Sequence, residues 1–147
     1  MSLHIAVVHG PNLQLLGTRE PEVYGSATLD DVNASLETLA DELGATIEAF
    51  QSNHEGDILD FVADAVARAD GFLVNPGALT HTSIALRDAL TGVNRPFVEV
   101  HISNTAAREP FRARSYLSPV AAGVVSGFGV QSYLLALRGL VDRLARD

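Results

Sequence analysis

The sequence predicts an α/β fold in which a parallel sheet is covered by helices on both faces. Short, continuously apolar segments alternate along the chain with longer segments whose apolar residues recur every three or four positions. Continuous apolar segments are typical of strands buried on both faces, and the periodic segments are typical of amphipathic helices. Because a strand, a helix and a second strand normally form a right-handed crossover, this alternation predicts parallel pairing.

The first half of the chain contains three predicted strands and two predicted helices. The strands cover residues 3 to 8, 45 to 50 and 71 to 74. Residues 28 to 31 have the pattern of a capping box, and apolar residues then recur at helical spacing until Gly44 closes the first helix. One apolar face predicts the second helix and is formed by Ile58, Phe61, Val62, Ala65 and Val66.

The second half continues the alternation. A third helix carries Ile84, Ala85, Ala89 and Leu90. Strands four and five are predicted at residues 96 to 100 and 120 to 125. The last amphipathic helix is predicted from Val130, Tyr133, Leu134, Leu137, Val141 and Leu144. The sequence therefore predicts a flavodoxin-like, doubly wound sandwich with a five-stranded parallel sheet, in one domain spanning residues 1 to 147.

Composition excludes several kinds of chemistry. The 147 residues include no cysteine, so thiol nucleophiles, disulfides and thiolate metal sites are excluded. All ten basic residues are arginines, which excludes a Schiff-base lysine and a P-loop lysine. The net charge of −8 repels phosphates and anionic lipids, so we expect neither nucleic acid nor membrane as a partner. The first residues lack the pattern of a secretion signal, and we expect a cytoplasmic location.

Cofactor and metal sites also lack support in the sequence. The glycine turn at residues 127 to 129 follows a predicted strand, but Ser132 replaces the third glycine of a dinucleotide-binding turn. The five histidines show no paired spacing of the kind that metal ligands adopt on a helix. We therefore expect no cofactor and no metal, and general acid–base chemistry remains.

Polar residues follow three of the predicted strands. They lie at residues 9 to 12, 75 to 77 and 101 to 103. Ligands of doubly wound sheets bind beyond the carboxyl ends of the strands, which is where these residues are expected to meet. Residues 9 to 27 and 101 to 119 are predicted as long irregular loops at the same edge, and loops of this length are usually functional.

Tyr24 is the candidate base in the first of these loops. Free tyrosine ionises near pH ~10, so a phenolate near neutrality requires stabilisation by about 4 kcal/mol. A guanidinium at ~4 Å supplies about 1 kcal/mol in bulk water and about 4 kcal/mol at an effective dielectric constant near 20. Arg19 can therefore activate Tyr24 only in a site shielded from water, and the segment around residues 17 to 21 could close to provide that shielding. A surface loop with an incidental tyrosine is the alternative.

His101 is the candidate acid. Strand alternation places Glu99 and His101 on the same face, and a carboxylate beside an imidazole keeps the ring oriented. A packed or surface histidine without a catalytic role is the alternative.

Four motifs together resemble the type II 3-dehydroquinate dehydratases. They are HGPNLQLLGTREPEVYG at 9 to 25, QSNHEG at 51 to 56, NPGALTHTS at 75 to 83 and EVHISN at 99 to 104. The resemblance continues in order through residues 108 to 119 and covers nearly the whole chain. His9, where the family usually has Asn, is the main departure, and Pro110 occupies a position that is commonly charged.

The resemblance implies trans elimination of water from 3-dehydroquinate through an enolate, in the shikimate pathway or in quinate catabolism. It implies that Tyr24 removes the C2 proton, that Arg19 holds the phenolate, that His101 protonates the departing hydroxyl and that Asn12 positions a water against the enolate oxygen. The residues that it implies for substrate binding are Asn75, His81, Asp88, Ile102, Ser103 and Arg112, and Glu99 and Arg108 are expected to support the site. Asp88 resembles the residue that reaches into a neighbour's site in the family's homododecamers.

The sequence leaves two alternatives to this function open. One is a flavodoxin-like ligand-binding or regulatory protein without catalysis. The other is an enzyme that acts on a related cyclic hydroxy acid.

Overall fold

In the described part of the chain, five parallel strands form one sheet, in the order β2-β1-β3-β4-β5. A computed structural model describes residues 2–18, Glu22 and residues 25–147. The strands are β1 Leu3–His9, β2 Ala45–Gln51, β3 Gly71–Asn75, β4 Phe97–His101 and β5 Gly123–Ser126. Their order and direction are those of flavodoxin-like sheets, and the predicted fold class is confirmed.

Helices cover both faces of the sheet. They are α1 Leu29–Glu42, α2 Glu55–Ala65, α3 Ile84–Gly92 and α4 Gln131–Ala145. One apolar core lies between the sheet and α1 with α4, and a second lies between the sheet and α2 with α3. None of the helices in the described part of the chain is long and apolar enough to span a bilayer.

Helix α1 begins with the capping box that the sequence predicts. The Thr28 hydroxyl accepts a hydrogen bond from the backbone N–H of Asp31 at 3.1 Å, and the Asp31 carboxylate accepts one from the Thr28 N–H at 3.0 Å. Two of the N–H groups that a helix start leaves without an intrahelical partner are thereby satisfied.

The apolar residues that predict α3 do not all face the core. Leu90 is buried, as the helical spacing suggests, and Leu86 joins it there. Ile84 and Ala85 are exposed instead, and Ile84 keeps 56% of its surface open.

Every strand extends one residue beyond its predicted end, and in each case the extra residue is polar. These last residues are His9, Gln51, Asn75, His101 and Ser126. Apolar patterning stops at the residue before each of them, whereas the ladder of backbone hydrogen bonds continues. The predicted start of the fifth strand at residue 120 is wrong, because Pro119 lies in a 3₁₀ turn at Ser118–Val120 and pairing begins at Gly123.

The loop that follows β4 is more ordered than an irregular segment. It contains 3₁₀ turns at Thr105–Ala107, Pro110–Arg112 and Ser118–Val120. Two further 3₁₀ turns, Leu13–Leu15 and Gly77–His81, follow β1 and β3. All of these turns belong to connections that leave the sheet at or beyond the carboxyl ends of its strands.

The loops after β1 and β3 touch each other through two glycines. A Cβ atom at Gly10 would lie 2.2 Å from the carbonyl oxygen of Pro76. Gly77 has a φ of +59°, and a Cβ there would lie 3.1 Å from the carbonyl oxygen of Pro11. The absence of side chains at both positions brings the start of the first loop against the end of β3.

Candidate active site

A pocket of about 690 Å³, with the open solvent at its mouth included, lies at the carboxyl edge of the sheet beyond β1, β3 and β4. Eight residues predicted for the site line it together: Asn12, Asn75, His81, His101, Ile102, Ser103, Arg108 and Arg112. Leu13, Leu15 and Leu16 of the first loop form an apolar wall beside them. The structure thus collects side chains that are up to 100 positions apart in the sequence, from Asn12 to Arg112.

Of the other predicted residues, the structure describes Glu99 and Asp88, and neither lines this pocket. Glu99 lies behind His101 and is 1% exposed. Asp88 is exposed on α3 and is absent from the pocket lining. Arg19 and Tyr24 lie outside the described residues, as does most of the predicted closing segment.

The pocket carries positive charge in an acidic protein. Its described lining includes Arg108 and Arg112 and no carboxylate, although the net charge of the chain is −8. Arg112 Nε lies 2.9 Å from the Glu109 carboxylate, and Arg108 donates to the Ser103 hydroxyl at 3.3 Å. Hydrogen bonds from its own backbone N–H and from Arg112 lower the pKa of Glu109. An anion is the ligand that this lining favours.

His101 is held by a buried carboxylate. The Nε2 nitrogen of its ring, at the end of β4, donates a hydrogen bond to Glu99. Because Nε2 is used in this way, Nδ1 is the ring nitrogen that remains for a ligand in the pocket. The predicted pairing of Glu99 with His101 on one face of the strand is confirmed.

The Glu99 carboxylate is enclosed by three hydroxyl groups that the sequence did not assign to the site. Thr80 donates at 2.8 Å, Ser118 at 2.6 Å and Ser115 at 3.0 Å. Burial raises the pKa of Glu99, but the hydrogen bonds from His101 and Ser118 outweigh burial and leave it below its usual range. Glu99 is therefore a stable anion behind the ring of His101.

The tautomer of His81 is fixed by the backbone. Its Nδ1 lies 2.7 Å from the carbonyl oxygen of Arg114, and a carbonyl can only accept. Nδ1 therefore carries the hydrogen, which leaves Nε2 of the pocket-lining ring for a ligand.

Asn12 and the backbone before it are held by Asn53, in the segment after β2, and by Gln51, the last residue of β2. The backbone of Asn12 lies in the left-handed region with a φ of 71°, and its N–H donates to the side-chain oxygen of Asn53 at 2.9 Å. Gln51 donates to the carbonyl oxygen of Gly10 at 3.1 Å. Sequence reasoning gave neither residue a role, although both lie in the QSNHEG motif that carries the family resemblance.

Metal ligands do not cluster in the part of the chain that the structure describes. No three His, Cys, Asp or Glu side chains there are grouped so that they could hold a metal ion.

Comparison with known proteins gives consistent matches over nearly the whole chain. The model of the family described as dehydroquinase class II matches residues 3–141. A 3-dehydroquinate dehydratase of Parasynechococcus marenigrum is 55% identical over 145 residues, 99% of each chain. A catabolic 3-dehydroquinase of Aspergillus clavatus is 56% identical over 137 residues, which cover 93% of this chain and 91% of that protein.

A solved structure agrees with these matches. The type II dehydroquinase of Butyrivibrio crossotus is similar with a TM-score of 0.92 at 40% identity, covering 95% of this chain and 97% of that one. The resemblance stated from the sequence motifs is thereby confirmed, and the chain belongs to the class II dehydroquinase family.

Proposed function

We propose that this chain is a 3-dehydroquinate dehydratase, a hydro-lyase that eliminates water from 3-dehydroquinate and gives 3-dehydroshikimate. The observation that carries the proposal is the pocket at the carboxyl edge of the sheet. Arg108, Arg112 and His101 line it, and His101 is hydrogen-bonded to the Glu99 carboxylate behind it. None of the described lining residues is acidic. A ring-shaped carboxylate with hydroxyl groups suits such a pocket, because arginine binds the carboxylate and the other polar groups bind the hydroxyls.

His101 acts as the general acid of the elimination. As the enolate collapses, its electrons form the new C=C bond and the C–O bond breaks with its electron pair on the oxygen. That oxygen takes the proton from Nδ1 and leaves as water. The Glu99 anion stabilises the imidazolium form that precedes this transfer and holds the ring in one orientation. This role draws support from the burial of Glu99 and from its three hydroxyl donors.

Tyr24 acts as the general base, and Arg19 stabilises its phenolate. Both assignments rest on the family resemblance and on the electrostatic argument that a nearby guanidinium is effective in a shielded site. Removal of the C2 proton gives an enolate, and a water held by Asn12 donates to the enolate oxygen. The position of Asn12 on the pocket wall supports this last role.

The remaining pocket residues bind the substrate. Asn75, His81 and Arg112 offer side-chain donors and acceptors to its carboxylate and hydroxyls, and the backbone at Ile102 and Ser103 offers further ones. The presence of all five in the pocket lining supports this assignment.

One assay tests the proposed reaction directly. On mixing the protein with 3-dehydroquinate, we expect the ultraviolet absorbance of the conjugated enone product to rise. Binding of 3-dehydroquinate without any absorbance change would favour the non-catalytic alternative, and turnover of other cyclic hydroxy acids instead would favour a different substrate. Tyr24→Phe should abolish turnover while the protein still folds, and near-normal turnover would remove Tyr24 as the base.

The metabolic pathway that the reaction serves needs a separate experiment. The relatives include both a 3-dehydroquinate dehydratase and a catabolic 3-dehydroquinase. A deletion strain that requires aromatic amino acids would assign the enzyme to the shikimate pathway, whereas a strain that loses only growth on quinate would assign it to catabolism.

Assembly into a homododecamer is proposed with Asp88 as a residue that serves a neighbouring subunit's pocket. The support is that Asp88 is exposed, lies away from its own pocket and shares α3 with the exposed Ile84. Light scattering would measure the mass of the particle, and a monomer with full activity would contradict the proposal. A cytoplasmic location is proposed as well and can be checked by cell fractionation.

A further inference from the structure

A buried chain of hydrogen bonds crosses the molecule from α1 to the pocket. Asn33 on α1 bonds to His9 at the end of β1, with 2.8 Å between Oδ1 and Nε2. Nδ1 of His9 lies 2.9 Å from the hydroxyl of Tyr133 on α4. That hydroxyl accepts a hydrogen bond from Nδ2 of Asn75 at 2.8 Å, and Asn75 lines the pocket at the end of β3.

The direction of every bond in this chain follows from one backbone group. The N–H of Gly77 can only donate, and it donates to Oδ1 of Asn75 at 3.2 Å. The amide oxygen of Asn75 therefore faces Gly77, and its nitrogen faces Tyr133. The amide occupies one lone pair of the tyrosine oxygen, and Nδ1 of His9 is the other partner of this hydroxyl among the described residues. Because a buried hydroxyl needs an acceptor for its hydrogen, the tyrosine hydrogen bonds to Nδ1.

The second bond of His9 continues the same order of donors and acceptors. Since Nδ1 accepts from Tyr133, Nε2 carries the ring hydrogen and donates it to the Asn33 oxygen. Burial lowers the pKa of His9 to about 4, so the ring is neutral near pH 7 and offers one acceptor and one donor, as this order requires. Burial also raises the pKa of Tyr133, which keeps its hydroxyl protonated.

Because these side chains are buried, each hydrogen bond requires one particular orientation of its donor and acceptor. His9 and Tyr133 have no exposed surface, and Asn75 is 3% exposed. Water cannot replace a missing partner at His9 or Tyr133, and a rotated amide at Asn75 would face Gly77 and Tyr133 with the wrong groups.

We propose that Tyr133 is a positioning residue, which together with His9 fixes the side-chain amide of Asn75 and so decides which donor and which acceptor Asn75 presents to the substrate. The two bonds to Tyr133 and Gly77 use one Nδ2 hydrogen and one Oδ1 lone pair, and they leave one of each for a ligand. The part of this inference that concerns substrate rests on the proposed dehydratase function.

Tyr133→Phe tests the inference by kinetics. The variant removes the hydroxyl and keeps the ring, and we expect KM for 3-dehydroquinate to rise about threefold to tenfold, the effect of one hydrogen bond. The turnover number should change less than about twofold, because a binding contact is lost that the ground state and the transition state share. Tyr116→Phe removes a hydroxyl from another tyrosine and should leave both constants unchanged.

A double-mutant cycle separates positioning from stability. In an Asn75→Ala background, Tyr133→Phe should have no further effect on KM, because no amide remains to be positioned. If Tyr133→Phe lowers the melting temperature and leaves KM unchanged, or if its effect on KM persists in full in the Asn75→Ala background, the hydroxyl is only structural and the inference is wrong.

His9 offers a rescue experiment. His9→Leu removes the acceptor of the Tyr133 hydrogen and should raise KM as Tyr133→Phe does. His9→Asn places an amide oxygen near the position of Nδ1 and should restore most of the affinity. Equal KM values for the two His9 variants would contradict the role of the ring in this chain.

A crystal structure of Tyr133→Phe gives a readout that does not depend on activity. We expect the Asn75 amide to rotate away from the Gly77 N–H or to occupy two conformations, and we expect neither change in Tyr116→Phe. An unmoved Asn75 would overturn the inference. If the wild-type protein does not turn over 3-dehydroquinate, the proposed function fails, and this structural comparison still decides whether Tyr133 positions Asn75.

Discussion

The Nε2 nitrogen of His101 donates to a carboxylate oxygen of Glu99, two residues earlier on the same buried strand. Side chains two positions apart on a strand lie on the same face, so this contact follows from local geometry. Burial of the carboxylate does not follow from local geometry, because its other three partners come from the segments that follow β3 and β4. The acid proposed for catalysis is therefore oriented by a neighbour that distant parts of the chain keep ionised.

Replacement of Glu99 by Gln should slow turnover with a smaller effect on substrate binding. Gln can still accept from His101 but cannot stabilise an imidazolium by its charge, and a hydrogen bond to a charged partner is worth about 1.5–3 kcal/mol. We expect the turnover number to fall about tenfold to a hundredfold by steady-state kinetics. Glu37→Gln, at an exposed carboxylate on α1 outside the pocket, is the matched control. Equal turnover in the wild type and Glu99→Gln would remove Glu99 from the mechanism.

Arg112→Met should weaken binding of the anionic substrate. The substitution keeps the apolar stem and removes the guanidinium from the pocket wall, so we expect KM to rise about tenfold to a hundredfold. Arg146→Met, near the exposed end of α4, is the control for loss of one positive charge from the protein. A similar rise of KM in both variants would mean that long-range charge, and not a contact of Arg112, controls affinity.

Gly10→Ala should destabilise the protein strongly. Its Cβ would lie 2.2 Å from the carbonyl oxygen of Pro76, so the two loops must separate, at a cost of about 1–3 kcal/mol or more. Gly139→Ala is the matched control, since a Cβ at this exposed position of α4 meets nothing within 4 Å and should stabilise the helix by about 0.5–1 kcal/mol. Thermal unfolding measures both. Equal melting temperatures in the two variants would mean that the loops after β1 and β3 are not in close contact.

His9 should make the protein less stable as the pH falls from about 6.5 to about 4. The unfolded chain binds a proton at His9 near the ordinary pKa of 6.5, whereas burial lowers the pKa in the folded protein to about 4. Unfolding is therefore favoured increasingly across this interval, by about 3 kcal/mol at its lower end.

Urea unfolding of the wild type and of His9→Asn at several pH values measures this contribution. The variant should lose less stability than the wild type between pH 7 and pH 4, because it carries no group that titrates at this position. His54→Asn, at an exposed histidine before α2, is the control for loss of a histidine that is not buried. Parallel pH curves for the wild type and His9→Asn would contradict the prediction.

The strand boundaries show where the apolar pattern of the sequence no longer predicts the structure. The apolar segments predict all five strands, and each prediction ends one residue too early, at the last apolar position. A polar side chain at the end of a buried strand reads as a loop residue, although its backbone still pairs with its neighbours. Three of the residues that the predicted strands leave out are His9, Asn75 and His101. Their side chains contact a buried partner or line the pocket.

Tyr133 shows a second limit. Its helical spacing correctly predicts a residue on the buried face of α4. The same spacing gives no sign that its hydroxyl meets His9 and Asn75, because those partners are 124 and 58 positions away in the sequence. Side-chain contacts of this range depend on the packing of α4 against the sheet.

The sequence by itself determined the order of strands and helices along the chain, the capping box of α1, the pairing of Glu99 with His101 and the resemblance to the family. These features depend on neighbouring residues or on motifs that are continuous in the chain. Only the tertiary structure decided that the hydroxyls of Thr80, Ser115 and Ser118 enclose Glu99, and that Tyr133 holds Asn75. The reason is that a parallel sheet brings the carboxyl ends of strands together at one edge, whereas the residues that meet there are far apart along the chain.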